Sequence, residues 1–511
     1  MKEILYVQAG FISNYVGTHF WNTQESYMHA EDPEVDPNVS FCESVDAQET
    51  STLYPRLLTF DKKSNFGTLG DFNATENGDS PTSLWGGPIA EFRQEQITKS
   101  AYQVFMEREG YDEQNDRDHR DNTTSATAEQ NRNSGKIRYW SDFSRVYYLP
   151  RSLQKIPDPP DWETDNLNWA AGQELFERYN EESELMEGAL RLFVEDCDNI
   201  QGIQVINDTN TFGSFMSSFF ESFRDEYHKL PSFAFPVLSG AATPKYDGGQ
   251  SQRTKQIVNE ALYLRTLDEF SSMNILIQEP ELRSSTGWSG TMNKDSRSGD
   301  IYQESAILSS HIETATLPFR LNRTSYDVSS VCAQLNWRGN ARFGELSGIF
   351  PFSSPSDLQN KLHNFSCHLP IQASNIFARF DVTRGFSQAD LNDYEAWTAK
   401  NQSSATASYF THIRGRAYPL PSSFPTAQLV PSPQKAEGDP FAKVPLYTST
   451  STTSNTSRVF EKYASSIEEL VKTRSSTLLA TEIPLDDLKD LVNDLWTMHY
   501  NSSGDSEEMD L

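Results

Sequence analysis

The sequence predicts an α/β protein built on a mostly parallel sheet with helices on both faces. Two observations carry this: short apolar runs bounded by turns alternate with stretches of helical periodicity, and the helices carry apolar faces broad enough to dock on a sheet. At 511 residues the chain is long enough for more than one domain and a sizeable core.

The opening stretch MKEILYVQAGFISNYVG reads as a buried strand over residues 1–9, a break at Ala9-Gly10 and a helix-like pattern from Ser13 to Trp21. PRLLTFD (Pro55 to Asp61) and GIQVIND (Gly202 to Asp208) are further strands, and each ends in an acidic residue at a turn. Between them, Leu185, Ala189 and Leu192 form one helical stripe and Met186, Leu190 and Phe193 another. Met216, Phe219, Phe220, Phe223 and Tyr227 recur at helical spacing, so the next helix docks on the sheet. SFAFPVLS (Ser232 to Ser239) is the following strand and QIVNEALYLRTLDEF (Gln256 to Phe270) the following helix. Near the C-terminus, SSIEELVKTRSSTLLA (Ser465 to Ala480) and LDDLKDLVNDLWTMHY (Leu485 to Tyr500) read as amphipathic helices. The second carries Leu485, Leu488, Val492 and Leu495 on a face that should pack on its own domain.

Composition narrows the function. Asp and Glu number 72 against 43 for Lys and Arg, a formal charge of −29, which makes direct binding to nucleic acid a poor expectation. Cys42, Cys197, Cys332 and Cys367 lie far apart, without the spacing of a zinc site or a disulfide framework, and no metal is expected. Sequons such as Asn122-Thr-Thr therefore read as chance. No window is apolar enough to span a bilayer, and the N-terminus carries neither a basic n-region nor an Arg-rich presequence. The expectation is a chain without a transmembrane segment that meets any organelle from the cytosolic side. Residues 110–136 are almost wholly polar and predict a disordered insertion; residues 279–300 and the Ser/Thr/Pro-rich stretch 401–458 predict loops or linkers.

Several motifs fall in one register. MKEILYVQAGFISNYVGTHFW resembles the first strand, phosphate loop and first helix of tubulins, with Gln8, Ala9, Gly10, Asn14 and Gly17 in matching places. NWAAG (from Asn168), DCDNIQGIQV (from Asp196), FRDEY (from Phe223) and NEALY (from Asn259) follow in tubulin order. VGTHFWN, PRLLTFDKKSNFGTLG (from Pro55) and YWSDFSRVYYLPRSL (from Tyr139) resemble more narrowly the Misato family of divergent tubulin relatives. The resemblance covers roughly residues 1–24, 54–100 and 138–340. It implies a tubulin-like, Rossmann-type sheet domain over 1–270, an α+β second domain over 301–400, the linker over 401–458 and a C-terminal helical region over 459–511 with an acidic tail.

Carried over position by position, the resemblance implies a degenerate GTP site at Gly10, Asn14, Asp61, Gly213, Ser214, Asn259 and Tyr302. Turn amides at helix N-termini would take the phosphates. Gly10 keeps the first such turn, but the polar residues that follow it in tubulin are Phe11 and Ile12 here. Asp61 keeps the second loop, while Lys63 replaces its acidic companion. NDTNTFGSFMSS stands where tubulin has GGGTGSG and retains only Gly213, beside Ser214, with Phe212 and Phe215 adding bulk. The plainer reading is a packed loop before a helix. Asn259 matches an asparagine that reads guanine and Tyr302 a tyrosine that stacks on the base, although the second guanine-reading asparagine is Ala306. Their ordinary alternatives are a helix-start amide and a core ring. In the loop that activates hydrolysis in a neighbouring subunit, Asp327 is kept and Ser330 stands where the catalytic glutamate would, so no catalytic residue is assigned.

What the resemblance implies is a non-catalytic tubulin-like factor in mitochondrial inheritance, distribution and morphology, including partitioning of mitochondrial DNA. The cytoplasm and the mitochondrial outer surface are its expected places, and tubulin and the cytosolic chaperonin its expected partners. No cofactor is required, and GTP is the one ligand to test. Two alternatives stay open: a self-assembling GTPase, and a nucleotide-free scaffold at the mitochondrial surface.

Overall fold

A computed structural model describes residues 2–30, 33–45, 51–74, 97–106, 137–158, 168–242, 249–279, 300–324, 326–366, 375–401, 409–426, 429 and 439–504. The polar insertion at 110–136, most of 279–300, the acidic tail and Cys367 lie outside these residues.

In chain order the strands are β1 (Glu3–Ala9), β2 (Phe41–Val45), β3 (Ser51–Pro55), β4 (Leu57–Lys62), β5 (Leu153–Ile156), β6 (Ile200–Asp208), β7 (Ser232–Leu238), β8 (Met273–Gln278), β9 (Phe343–Ile349), β10 (His363–Asn364), β11 (Ile376–Arg384), β12 (Tyr409–Gly415), β13 (Tyr418–Leu420), β14 (Ala442–Val444) and β15 (Leu446–Thr453). The longer helices are α1 (Phe11–Tyr27), α2 (Trp169–Ser183), α3 (Thr209–Glu226), α4 (Gln250–Phe270), α5 (Ile301–Ala315), α6 (Val328–Leu335), α7 (Gln388–Asn401), α8 (Ser457–Lys472) and α9 (Leu485–Ser503).

Among the described residues one sheet of 11 strands runs β12-β11-β15-β9-β8-β7-β6-β1-β4-β5, with β10 beside β9. From β5 to β9 every pairing is parallel; β15 enters antiparallel between β9 and β11. Side chains alternate across the strands. Ile4 and Tyr6 join a core with α1, α5 and α6 on one face, and Leu5, Val7 and Ala9 join a core with α2, α3, α4, α8 and α9 on the other. The α1 helix lies so close to β1 that a Cβ at Gly17 would meet the Gln8 side chain at 2.2 Å, which restricts that position to glycine.

This corrects the expected division. The 301–400 region is no separate α+β domain, because β9 and β11 continue the sheet that begins with β1. The expected linker at 401–458 instead supplies β12, β13, β14 and β15, and β15 is buried along its whole length. Its sequence, LYTSTSTT, looks like linker by composition. Threonine suits a strand, however, and the hydroxyls find buried partners: Thr448 Oγ1 lies 2.8 Å from His311 Nδ1, and Thr452 Oγ1 donates to the Leu335 carbonyl at 3.0 Å. Of the two expected C-terminal helices the second forms as α9, whereas the first is displaced: α8 starts at Ser457 and stops at Lys472, and Ser476–Thr481 is a separate 3-10 turn. Both helices pack on α4, where the Tyr463 hydroxyl donates to Glu260 at 2.6 Å. Leu488, Val492 and Leu495 are buried, while Leu485, at the first position of α9, is exposed. The stripe through Leu192 fails too: a π-helical turn over Leu185–Leu190 widens the helix and leaves Leu192 on the surface.

Candidate functional site

From β1 the sheet grows towards β4 on one side and β6 on the other, a reversal at whose carboxyl ends open α/β sheets ordinarily bind their ligands. Ala9 pairs with Phe60 of β4 and with Asn207 of β6, so Gly10, Asp61 and Asp208 come level with one another. Gly10 turns the chain into α1 with φ 109°, a conformation that excludes ordinary side chains.

Asn14, one turn into α1, ties that helix to β4. Its Nδ2 donates to the Phe60 carbonyl at 2.9 Å and to Asp61 Oδ2 at 3.0 Å, and its Oδ1 accepts from Thr59 Oγ1 at 2.8 Å. Asp61 is enclosed by further donors: Asn65 Nδ2 at 2.7 Å, the Lys62 amide at 2.9 Å and Trp140 Nε1 at 3.2 Å. Burial pushes its carboxyl above the usual range, and the donors from Asn14, Asn65, Lys62 and Trp140 pull the other way.

The residue that decides the site is Asp208. Its Oδ2 accepts from the Ile12 amide at 2.8 Å, and its Oδ1 accepts from the Ser13 amide at 2.9 Å and the Ser13 hydroxyl at 2.5 Å. These amides form the N-terminus of α1, the place that would receive a phosphate, so a side-chain carboxylate already holds the position. A Cβ on Gly10 would meet Asp208 Oδ2 at 2.5 Å, which shows how tightly the space is closed. Glu279, raised to about 8 by burial and then by Asp208 and Glu260, adds to the acidic surroundings. These residues do not fit the phosphates of a nucleotide: the amides that would receive them are already taken by a side chain of the protein itself.

The remaining predicted residues are not brought together. Gly213 and Ser214 lie inside α3, which starts at Thr209 immediately after β6, so no phosphate loop separates strand from helix. Helical amides at these positions point to carbonyls one turn back. Phe212 and Phe215 do not fill a phosphate cavity. They face the core, where Phe215 packs on Phe60 with ring centroids 5.5 Å apart and on Phe176 at 5.2 Å. Asn259 is in the middle of α4, not at a helix start, and that helix packs on the opposite face of the sheet from Tyr302. Tyr302 is a core ring, flanked by His19 at 5.0 Å and Phe143 at 4.9 Å, with its hydroxyl donating to the Ser423 carbonyl. Asp327 and Ser330 form a reciprocal cap on α6, and Asp327 also pairs with Lys2 at 2.7 Å. Lys63 is exposed.

Asp208 was visible as the acidic end of a strand, but its role depends on Ser13, a residue 195 positions away. Burial raises the Asp208 carboxyl to about 7, against the opposing hydrogen bonds from Ser13 and Ile12. The folded state therefore binds a proton that the unfolded chain releases near pH 4, and this contribution to stability is lost as pH rises towards 7. Glu279 and Glu304, the latter raised to about 7 by burial and then Asp300, act in the same direction. We expect urea midpoints to fall between pH 5 and pH 8, and Asp208→Asn to flatten the slope. A midpoint that rises over that range in the unaltered protein would contradict the assignment.

A parallel sheet with a topological reversal at its first strand, a glycine turn into the first helix and an asparagine bracing that helix on β4 fit a tubulin-like protein. A tubulin domain family matches residues 129–321, and the Misato Segment II tubulin-like domain matches residues 2–108. Protein DML1 of Gibberella zeae is 33% identical over 356 residues, covering 66% of this chain and 66% of that protein. Protein dml-1 of Neurospora crassa is 30% identical over 367 residues (68% and 63%), and protein misato of Drosophila melanogaster is 28% identical over 365 residues (65% and 62%). The chain belongs to the Misato/DML1 family of tubulin-like proteins. These alignments span just under two thirds of each of these relatives.

Proposed function

We propose that the protein is a non-hydrolysing tubulin-like factor in the inheritance, distribution and morphology of mitochondria, including partitioning of mitochondrial DNA. It works from the cytosolic face of the mitochondrion through assembly of tubulin or another cytoskeletal polymer, with the cytosolic chaperonin as a further partner. The observation that carries a non-hydrolysing role is the Asp208 carboxyl seated on the Ile12 and Ser13 amides, where a GTPase of this fold would hold phosphate. The Asp327–Ser330 cap supports the same reading, since Ser330 offers no carboxylate to activate water. Among the described residues no helix is long and apolar enough to cross a membrane.

A fluorescent GTP analogue titrated with and without Mg²⁺ should show no saturation in the micromolar range, and phosphate release should not rise with protein concentration. Magnesium-dependent micromolar binding with concentration-dependent turnover would replace this reading with a self-assembling GTPase. Depleting the protein should scatter mitochondria unevenly between daughter cells and produce cells lacking mitochondrial DNA; normal segregation would refute the mitochondrial role. Protease added to intact organelles should digest the protein, and full protection would refute the cytosolic placement.

A further inference from the structure

A cleft of about 590 Å³ lies at the edge of the sheet opposite the Asp208 site, bordered by Cys42, Ser44, Arg56, Arg151 and Asp196. Arg56 stands between β3 and β4 and is anchored by its backbone: its amide donates to the Ser40 carbonyl at 2.9 Å, and its carbonyl accepts from Tyr6 at 2.8 Å. The residue is only 7% exposed. Nη1 donates to the Asp196 carbonyl at 3.1 Å and to Cys197 Sγ at 3.5 Å, while Nε has no hydrogen-bond partner.

A buried guanidinium is ordinarily matched by a carboxylate, because an unpaired charge in a protein interior is costly. Here none is available among the described residues. The Asp196 carboxylate is engaged by Arg151, whose guanidinium rests on the Phe193 ring at 4.4 Å and whose own Nε is also unpartnered. Glu43, on the rim, accepts a hydrogen bond from Ser51. The thiols do not serve as anions: burial pushes Cys42 up and Cys197 to about 11, so both stay protonated at neutral pH. What remains is a rigidly held cation without a carboxylate, a second guanidinium beside it that is paired with Asp196 but has an unpartnered Nε, and room for more than a simple ion.

We propose that this cleft binds a phosphate-bearing small ligand, with the Arg56 guanidinium as its principal contact and Arg151 as the second. Planar guanidinium groups match phosphate oxygens with paired hydrogen bonds, and the remaining volume accommodates the group esterified to the phosphate. The site is independent of nucleotide binding at the other end of the strands.

The test uses the full chain and inorganic phosphate against chloride at matched ionic strength, read by thermal unfolding and calorimetry. The melting temperature of the unaltered protein should rise with phosphate and not with chloride, as for a ligand that binds only the folded state. Arg56→Met removes an unpaired buried charge and should fold, verified by circular dichroism, while weakening phosphate binding roughly tenfold or more. Arg56→Lys should retain a reduced response, and Asp208→Asn a full one. Glycerol phosphate and phosphatidylcholine vesicles carrying phosphatidate then separate a soluble ester from a lipid headgroup: Arg56-dependent binding to either supports the site and names its source. An equal response to chloride, or an Arg56→Met protein that binds phosphate as tightly as the unaltered one, overturns the proposal.

Discussion

Replacing Asp208 with alanine is expected to destabilise the protein by about 2–4 kcal/mol, because it leaves the Ile12 amide and the Ser13 amide and hydroxyl without their acceptor inside a closed site. The loss should be larger at pH 5.5 than at pH 8. With its carboxyl raised to about 7, Asp208 at the higher pH already bears the cost of a buried charge that alanine relieves. Asp208→Asn separates the two contributions, since it keeps one acceptor without a charge and should lose less than alanine. The alanine variant should also vacate the anion position on α1. In an Arg56→Met background, where the cleft at the other edge no longer contributes, added phosphate should raise the melting temperature of Asp208→Ala and leave that of Arg56→Met alone unchanged. If the double variant ignores phosphate, the amides of α1 are not a latent anion site and the carboxylate is an ordinary cap.

That result would place the lost nucleotide chemistry at a residue the sequence shows without showing its role. The strand ends were legible: Gly10, Asn14 and Asp61 sit together where the resemblance to tubulins placed them. Local motifs misled where register was not checked by pairing. NEALY reads as a base-binding signature, yet it lies midway along α4, which precedes β8 and packs on the wrong face of the sheet. Phe212 and Phe215 look obstructive in a one-dimensional alignment, but a helix starting at Thr209 turns both into the core. Composition failed at β15, because hydroxyl-rich strands and hydroxyl-rich linkers differ only in whether the hydroxyls find buried partners. Each error has the same cause: the deciding contact joins residues far apart in the chain, and neither periodicity nor a short motif records it.

Glu313→Ala should cost more, about 3–5 kcal/mol, the range expected when one partner of a buried ion cluster is removed. The Glu313 side chain is fully buried and accepts from Arg384 Nη1 at 2.6 Å, the Tyr27 hydroxyl at 2.9 Å, Arg320 Nη2 at 3.1 Å and Gln24 Nε2 at 3.2 Å. Both guanidinium groups are equally enclosed, and with the carboxylate gone Glu34, 3.7 Å from Arg384 Nη2, is the only carboxylate among the described residues that pairs with either of them. Glutamine in place of Glu313 would keep the size but turn an amide donor towards a cation, so it should rescue little. A triple replacement with Leu at 313 and Met at 320 and 384 should recover much of the loss, because buried ionic clusters exchange for apolar groups at small net cost. The cluster also bears on how the chain is organised: Tyr27 ends α1, Glu313 belongs to α5 and Arg384 ends β11, so one carboxylate ties the first helix to the strands added by the C-terminal region. In the unaltered protein, urea transitions followed by tryptophan fluorescence and by protease sensitivity of the C-terminal region should coincide. In Glu313→Ala the C-terminal region should become sensitive first. A loss below about 1 kcal/mol, or coincident transitions in the variant, would mean that apolar packing alone holds the sheet in one piece.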